Sequence, residues 1–312
     1  MMIMRILMKK LFGFSINLAA FVAITSMLVG CEPSDFREGV VMAGGKYVPA
    51  HTLNKGKQIY QEYCMACHGV NGDGNGVAAK GLEVPPRNFT LGIIKFGDVI
   101  SGELPHDEAI YKTLEHGLNG TAMLPWDLKK DQMEAVWQYI KTFAPDTWIG
   151  KDKQLGKQFD SSTFKDPYTV ARRKQAIETG RKVYHVEAAC QACHMGYVSL
   201  GEFDQMSREL TGDGVEELDE TFFQLKTQVS EHGYGVRPPD FTYHKLRSVR
   251  GNNVEDIYLR LLAGVGGTTM PAWSETIEED YKIWALAYYV QSLMEYRKSP
   301  KKRAEFFSNL KK

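Results

Sequence analysis

The sequence predicts an all-α protein made of two related helical units in tandem. Two observations carry this. A Cys-x-x-Cys-His segment occurs twice, as Cys64-Met65-Ala66-Cys67-His68 and as Cys190-Gln191-Ala192-Cys193-His194. Downstream of each, a longer pattern recurs without a gap at an offset of 147 residues. Ile110-Tyr111, Leu114, Gly117, Gly120-Thr121, Met123 and Trp126 reappear as Ile257-Tyr258, Leu261, Gly264, Gly267-Thr268, Met270 and Trp273. Identities at one fixed offset mark an internal repeat. A chain of 312 residues has room for two domains, each burying its own core.

The N-terminus reads as a targeting segment. Arg5, Lys9 and Lys10 precede an apolar run from Leu11 to Val29, the layout of a secretory signal. The run ends Leu28-Val29-Gly30-Cys31, which resembles a bacterial lipobox with Cys31 as the lipidated new N-terminus. An uncleaved membrane helix and a plain cleaved signal are the alternatives, since the run is nearly long enough to span a bilayer. Residues 1–30 are thus expected to be a lipoprotein signal peptide and 31–50 a tether. All five cysteines then have a use, and none remains for a structural disulfide.

In each Cys-x-x-Cys-His segment, helical spacing puts the two thiols and the imidazole on one face. Two thiols can bond the two vinyl groups of a haem while the histidine reaches its iron, and the motif is a signature of c-type haem attachment. A thioredoxin-like redox pair does not require the histidine, and half of a zinc site would leave the downstream repeat unexplained. That repeat suggests the other axial ligand. Ile, Tyr and Leu at helical spacing face a core, a glycine stops the helix, and a Gly-Thr turn delivers a methionine in an extended loop beside a tryptophan. Met123 and Met270 are therefore the candidate partners of His68 and His194. Buried methionine is more often gap filler, but these two hold the same place in both repeats.

Other marks agree. Tyr60 and Tyr184 precede the two motifs. Pro85-Pro86-Arg87-Asn88-Phe89-Thr90 matches Pro238-Pro239-Asp240-Phe241-Thr242 with one residue deleted. Tyr139-Ile140 and Tyr289-Val290 lie on the amphipathic helices expected to close each unit. With these residues in view, each half resembles a class I cytochrome c domain, and the pair resembles the dihaem cytochromes c of bacterial respiratory chains. The resemblance covers roughly residues 50–145 and 175–296. It implies that Cys64, Cys67, His68 and Met123 hold one covalent haem c, and Cys190, Cys193, His194 and Met270 a second. It also implies a proline-containing loop whose carbonyl bonds each proximal histidine, which points to Pro86 and Pro239, and a helical bundle around each haem. The second unit departs from the pattern by an insertion between His194 and Pro238. Pro271 also directly follows Met270, whereas Pro125 comes two residues after Met123.

The expected layout is domain one at 51–148, a linker at 149–175, domain two with an acidic insertion at 176–296, and a basic tail at 297–312. Formal charge sums to zero, but it is unevenly placed. Residues 202–220 hold eight acidic residues and one basic, and the tail holds seven basic and one acidic. Each reads as a solvated surface or as a docking surface for an oppositely charged partner. Asn71 to Gly76 starts like a calcium loop, but position twelve is Leu82, so it reads as a turn leading away from the haem. His51, His106, His116, His185, His232 and His244 occupy unmatched positions and read as surface or structural residues, with His116 the best substitute ligand.

An iron with both axial positions filled passes electrons and has no position for substrate. The expectation is an electron carrier with no catalytic residues, tethered by lipid at Cys31 to the periplasmic face of a bacterial membrane. Its partners would be redox proteins of a respiratory chain, with no nucleic acid. A haem-bearing subunit of a larger respiratory oxidoreductase is the first alternative. A dihaem peroxidase is the second, and two matched Met loops argue against it.

Overall fold

The computed structural model describes residues 36–215 and 220–310. The chain divides into Met1–Glu38 and Gly39–Lys312, and every element below lies in the second unit. That unit is mostly helical, with two small antiparallel ribbons. Cys31 and the apolar N-terminal run lie outside the described residues, as do Glu216, Glu217 and Asp219 of the acidic stretch.

Strands β1 (Val40–Val41) and β2 (Tyr47–Val48) pair, Val40 opposite Val48, before helix α1 (Ala50–Ile59). α1 runs on through a π-helical turn, Tyr60–Cys64, into Met65–His68. α2 (Asp107–His116) and α3 (Lys130–Lys141) complete the first half. Their apolar faces meet in one core that includes Tyr60, Ile110, Leu114, Val136, Trp137 and Ile140. Burying each such side chain stabilises the fold by about 1.5–3 kcal/mol.

The second half repeats this plan. α4 (Arg173–Lys182), followed by a π-helical turn at Val183–Glu187, corresponds to α1. α6 (Val254–Ala263) and α7 (Asp280–Met294) correspond to α2 and α3. A second core gathers Tyr184, Tyr258, Leu261, Trp284, Leu286 and Tyr289. Between α4 and α6 the insertion supplies α5 (Leu200–Thr211) and the hairpin of β3 (Gln228–Val229) and β4 (Gly235–Val236). Val198, Met206 and Phe222 form a small cluster under α5. Three acids of the stretch are tied to bases here: Glu202 to Arg181, Asp204 to Arg208 and Glu209 to Lys182.

The opening and closing helices of each half cross at a glycine. A Cβ added to Gly56 would lie 2.0 Å from the Ala135 carbonyl oxygen, and one added to Gly180 would lie 2.0 Å from that of Ala285. Only hydrogen lets the backbones approach so closely. One turn later, Tyr60 and Tyr184 reach the Cys-x-x-Cys-His segments. Tyr60 donates to the Gly69 carbonyl at 2.7 Å and Tyr184 to the Met195 carbonyl at 3.0 Å.

The segment between the halves packs on both cores at intervals. Leu155 packs on the first core, and Phe159, Phe164 and Tyr168 pack on the second. The basic tail forms α8 (Pro300–Leu310). Leu310 is buried, Phe306 and Phe307 rest against the second core, and the Arg303 guanidinium sits 4.5 Å from the centre of the Tyr243 ring.

Candidate functional site

Both proximal histidines are held in the same way. The His68 ring stacks on Phe89 with centroids 4.5 Å apart, and its Nδ1 is 3.0 Å from the Arg87 carbonyl oxygen. The His194 ring stacks on Phe241 at 4.8 Å, and its Nδ1 is 3.2 Å from the Pro239 carbonyl oxygen. A carbonyl only accepts, so Nδ1 carries the proton and Nε2 keeps its lone pair for a metal. Burial lowers both ring pKa values, that of His194 to about 4, so both imidazoles are neutral.

Pro86 is not the acceptor; the acceptor in the first half is the next residue, Arg87. The one-residue deletion therefore falls ahead of the contact, not behind it. Asn88 and Asp240 each accept from the backbone N–H two residues on, Thr90 and Thr242, both at 2.9 Å. Those turns align Phe89 with Phe241 and hence Arg87 with Pro239.

The motifs themselves differ in setting. In the first half the helical turn Met65–His68 continues the opening helix without a break. In the second, Ala189 adopts a left-handed conformation (φ 45°), and Cys190–Ala192 forms a separate 3-10 turn. Cys190 comes six positions after Tyr184, against four from Tyr60 to Cys64, and the helix ends within this longer stretch. The Asn71–Gly76 loop folds back under its motif instead of leading away. Gly74 N–H donates to the His68 carbonyl at 2.8 Å and Gly76 N–H to that of Cys67 at 3.1 Å. Asp73 is spent on Asn75, accepting from its backbone N–H at 3.0 Å.

The Met loops repeat bond for bond. Gly117 and Gly264, both at positive φ, end α2 and α6, and a Cβ on either would meet the carbonyl oxygen of Met123 or Met270 at 2.6 and 2.8 Å. Leu118 N–H donates to the Met123 carbonyl at 2.9 Å, and Val265 N–H to that of Met270 at 3.2 Å. Thr121 Oγ1 donates to the Leu118 carbonyl at 2.8 Å and accepts from Met123 N–H at 3.1 Å. Thr268 Oγ1 does the same with Val265 and Met270, at 2.7 and 3.2 Å. Both methionines are partly buried against the core of their own half.

Cys64, Cys67, Cys190 and Cys193 are free thiols. Burial pushes Cys64 and Cys190 up to about 12, the reverse of the depressed thiol a dithiol oxidoreductase needs. The Trp273 indole N–H beside the second Met loop is buried without a partner, a donor that an acceptor on a bound group would satisfy. Thiols spaced for two vinyl groups, a neutral imidazole with Nε2 free and a fixed thioether loop fit a haem c.

The other histidines are otherwise engaged. His185 is fully buried, with Nδ1 2.8 Å from the Arg181 carbonyl oxygen and Nε2 accepting from Tyr197 N–H at 3.1 Å. His106 Nε2 is 2.9 Å from the Gly156 carbonyl oxygen, and His244 Nδ1 accepts from Asp240 N–H at 2.9 Å. His51 and His116 are exposed. His232, at the tip of the β3–β4 hairpin, lies against Arg87, whose Nη1 is 2.7 Å from its Nε2 and 2.9 Å from its Nδ1. Nothing in the sequence spacing ties Arg87 to His232.

The helical fold and its Cys-Cys-His site define a protein of the haem c class. Residues 53–144 match the family model of cytochrome c. A chain of the Kuenenia stuttgartiensis reducing HAO-like protein complex Kustc0457/Kustc0458 is 32% identical, with a TM-score of 0.58, over 77% of this chain and 95% of that one. No curated protein matches. The chain belongs to the cytochrome c family: it carries covalently bound haem c and serves electron transfer.

Proposed function

We propose that the chain is a dihaem c-type cytochrome of two tandem cytochrome c domains, tethered to the periplasmic face of a bacterial membrane through lipid on Cys31. The observation that carries this is the duplicated site: two His–carbonyl–Phe sets and two Met loops with the same hydrogen bonds. Cys64, Cys67, His68 and Met123 hold one haem, and Cys190, Cys193, His194 and Met270 the other. The bound haem supplies a one-electron couple, and Met/His ligation favours a raised potential. The protein's part is to keep each imidazole neutral and oriented, to present the thioether, and to exclude water. The partners are redox proteins. The similarity to a chain of a reducing HAO-like complex favours a second reading, a haem-bearing subunit within a larger oxidoreductase.

Met123→Ala and Met270→Ala test the ligand set and the electron-carrier reading together. Each should open one iron, lower that haem's potential and leave it attached, because the thioethers and the proximal histidine remain. The variants should bind carbon monoxide far more readily than the wild type. Equal binding by the wild type would show an iron already open and would favour a peroxidase.

A further inference from the structure

The two proximal sides are built alike and charged differently. Arg87 stands where the second half has Pro239, and Asn88 where it has Asp240. A guanidinium therefore belongs to the residue whose carbonyl holds His68. The corresponding residue behind His194, Pro239, carries no charge. Instead, Asp240 accepts from the Tyr197 hydroxyl at 3.1 Å, Thr242 N–H at 2.9 Å and Thr242 Oγ1 at 2.7 Å, the acceptor-only pattern of a carboxylate. Asn88 makes the equivalent turn as a neutral amide.

Among the described residues the side-chain partners of Arg87 are His232 and the Tyr234 hydroxyl. His232 is driven down to about 4 by burial and by repulsion from Arg87 and Lys95, so that ring is uncharged. Lys95 is lowered to about 8 by burial and by repulsion from Arg87 and Arg247, and it is still a cation at neutral pH. Among the described residues, no carboxylate acts on Arg87 or Lys95. The second half holds this cluster in place. Glu231 N–H donates to the Gly267 carbonyl at 3.1 Å, Gly266 N–H donates to the Lys95 carbonyl at 3.1 Å, and the His232 ring fills the space beside Gly267.

We propose that Arg87, backed by Lys95 and Arg247, sets the reduction potential of the first haem above that of the second, so that an electron passes downhill from the second iron to the first. The inference rests on the two-haem reading above. One electron leaves the second iron, which goes from ferrous to ferric, and arrives at the first, which goes from ferric to ferrous; no proton moves. A ferric iron carries one more positive charge than a ferrous one, so a fixed cation disfavours it and a carboxylate favours it. The imidazole–carbonyl bond is common to both sites, and burial acts on both histidines. Fixed charge is left to separate the sites. At an effective dielectric of about 20, a unit charge about 10 Å away changes such an equilibrium by roughly tenfold.

The test is a spectroelectrochemical titration of the purified holoprotein. The wild type should show two one-electron steps separated by at least tenfold in equilibrium constant, which is about 59 mV. Met270→His, which replaces a potential-raising ligand, assigns the second site by lowering its step. Arg87→Gln, which keeps the backbone carbonyl, should lower the first step by more than the second, and Asp240→Asn should raise the second by more than the first. Lys95→Gln is the companion to Arg87→Gln should that variant fold poorly, and it should shift the same step the same way. Steps closer than tenfold, a first site that titrates lower, or a first step indifferent to both Arg87→Gln and Lys95→Gln would overturn the inference. A haem count of one per chain, read from the same sample, would instead overturn the two-haem reading and the inference with it.

Discussion

At the scale of single residues, the polar contacts in the core divide into those that were visible in the sequence and those that were not. Thr121 and Thr268 stood out by their constant offset, yet their double role, donating to one backbone carbonyl and accepting from the methionine N–H, is a matter of geometry. Asp107 was invisible, because it has no counterpart in the second half. It opens α2 and accepts from Lys141 at 2.7 Å, Trp137 at 2.9 Å and Gln138 at 2.9 Å, with Lys46 at 3.0 Å. Burial pushes its carboxyl up, but the Lys141 and Lys46 ammoniums outweigh that and hold it below the usual range. Because its folded pKa is depressed, its stabilisation is full above the unfolded carboxyl pKa of about 3.9 and is lost as pH falls through the folded value. Asp107→Asn leaves buried Lys141 without its paired carboxylate and should cost about 3–5 kcal/mol at neutral pH. Urea unfolding across pH checks this: the gap between wild type and variant should narrow below about pH 4. A gap that does not change with pH would mean the charge itself contributes nothing.

At the scale of elements, the helices that carry the repeat were legible because their apolar spacing and glycine stops are local signals. The offset of 147 placed α2 and α6, and Tyr139 and Tyr289 pointed to the closing helices. The helix crossings were not legible, since Gly56 and Gly180 acquire meaning only from a partner helix distant in sequence. The shared spacing Gly56…Tyr60 and Gly180…Tyr184 was the signal available. Nor was the break at Ala189 legible: two extra residues are easily counted, but which of them turns left-handed is decided by packing. The basic tail read as a solvated or docking segment; Lys301 and Lys302 are exposed, while its aromatic residues, which that reading passed over, dock α8 on the second core. Gly56→Ala should open the α1–α3 crossing and destabilise the protein by about 1–3 kcal/mol. Gly201→Ala, where an added Cβ meets nothing within 4 Å, should leave stability unchanged or raise it by up to about 1 kcal/mol. Thermal unfolding of both variants decides it; equal melting points would mean the crossing yields at little cost.

At the scale of the whole molecule, the two halves are joined through the loops that bear the sites. Asn119 of the first Met loop donates to the Ser248 carbonyl at 2.9 Å, Ser101 N–H donates to the Ala263 carbonyl at 2.8 Å, and Arg250 pairs with Asp98. This seam was not legible in the sequence, because it is made of residues that differ between the halves. The membrane tether is a proposal at this scale. Cys31→Ser should release the protein from membranes, since it removes acyl chains that contribute about 0.8 kcal/mol per buried methylene. A variant that still sediments with membranes would place the anchor elsewhere.

The central claim is that the duplicated site means duplicated haem, and haem stoichiometry tests it most directly. Protein made with a cytochrome c maturation system should gain the mass of two haems per chain and keep its haem stain on a denaturing gel. Replacing Cys64 and Cys67, or Cys190 and Cys193, with alanine should then remove one haem at a time. A wild-type chain that gains one haem or none would contradict the account.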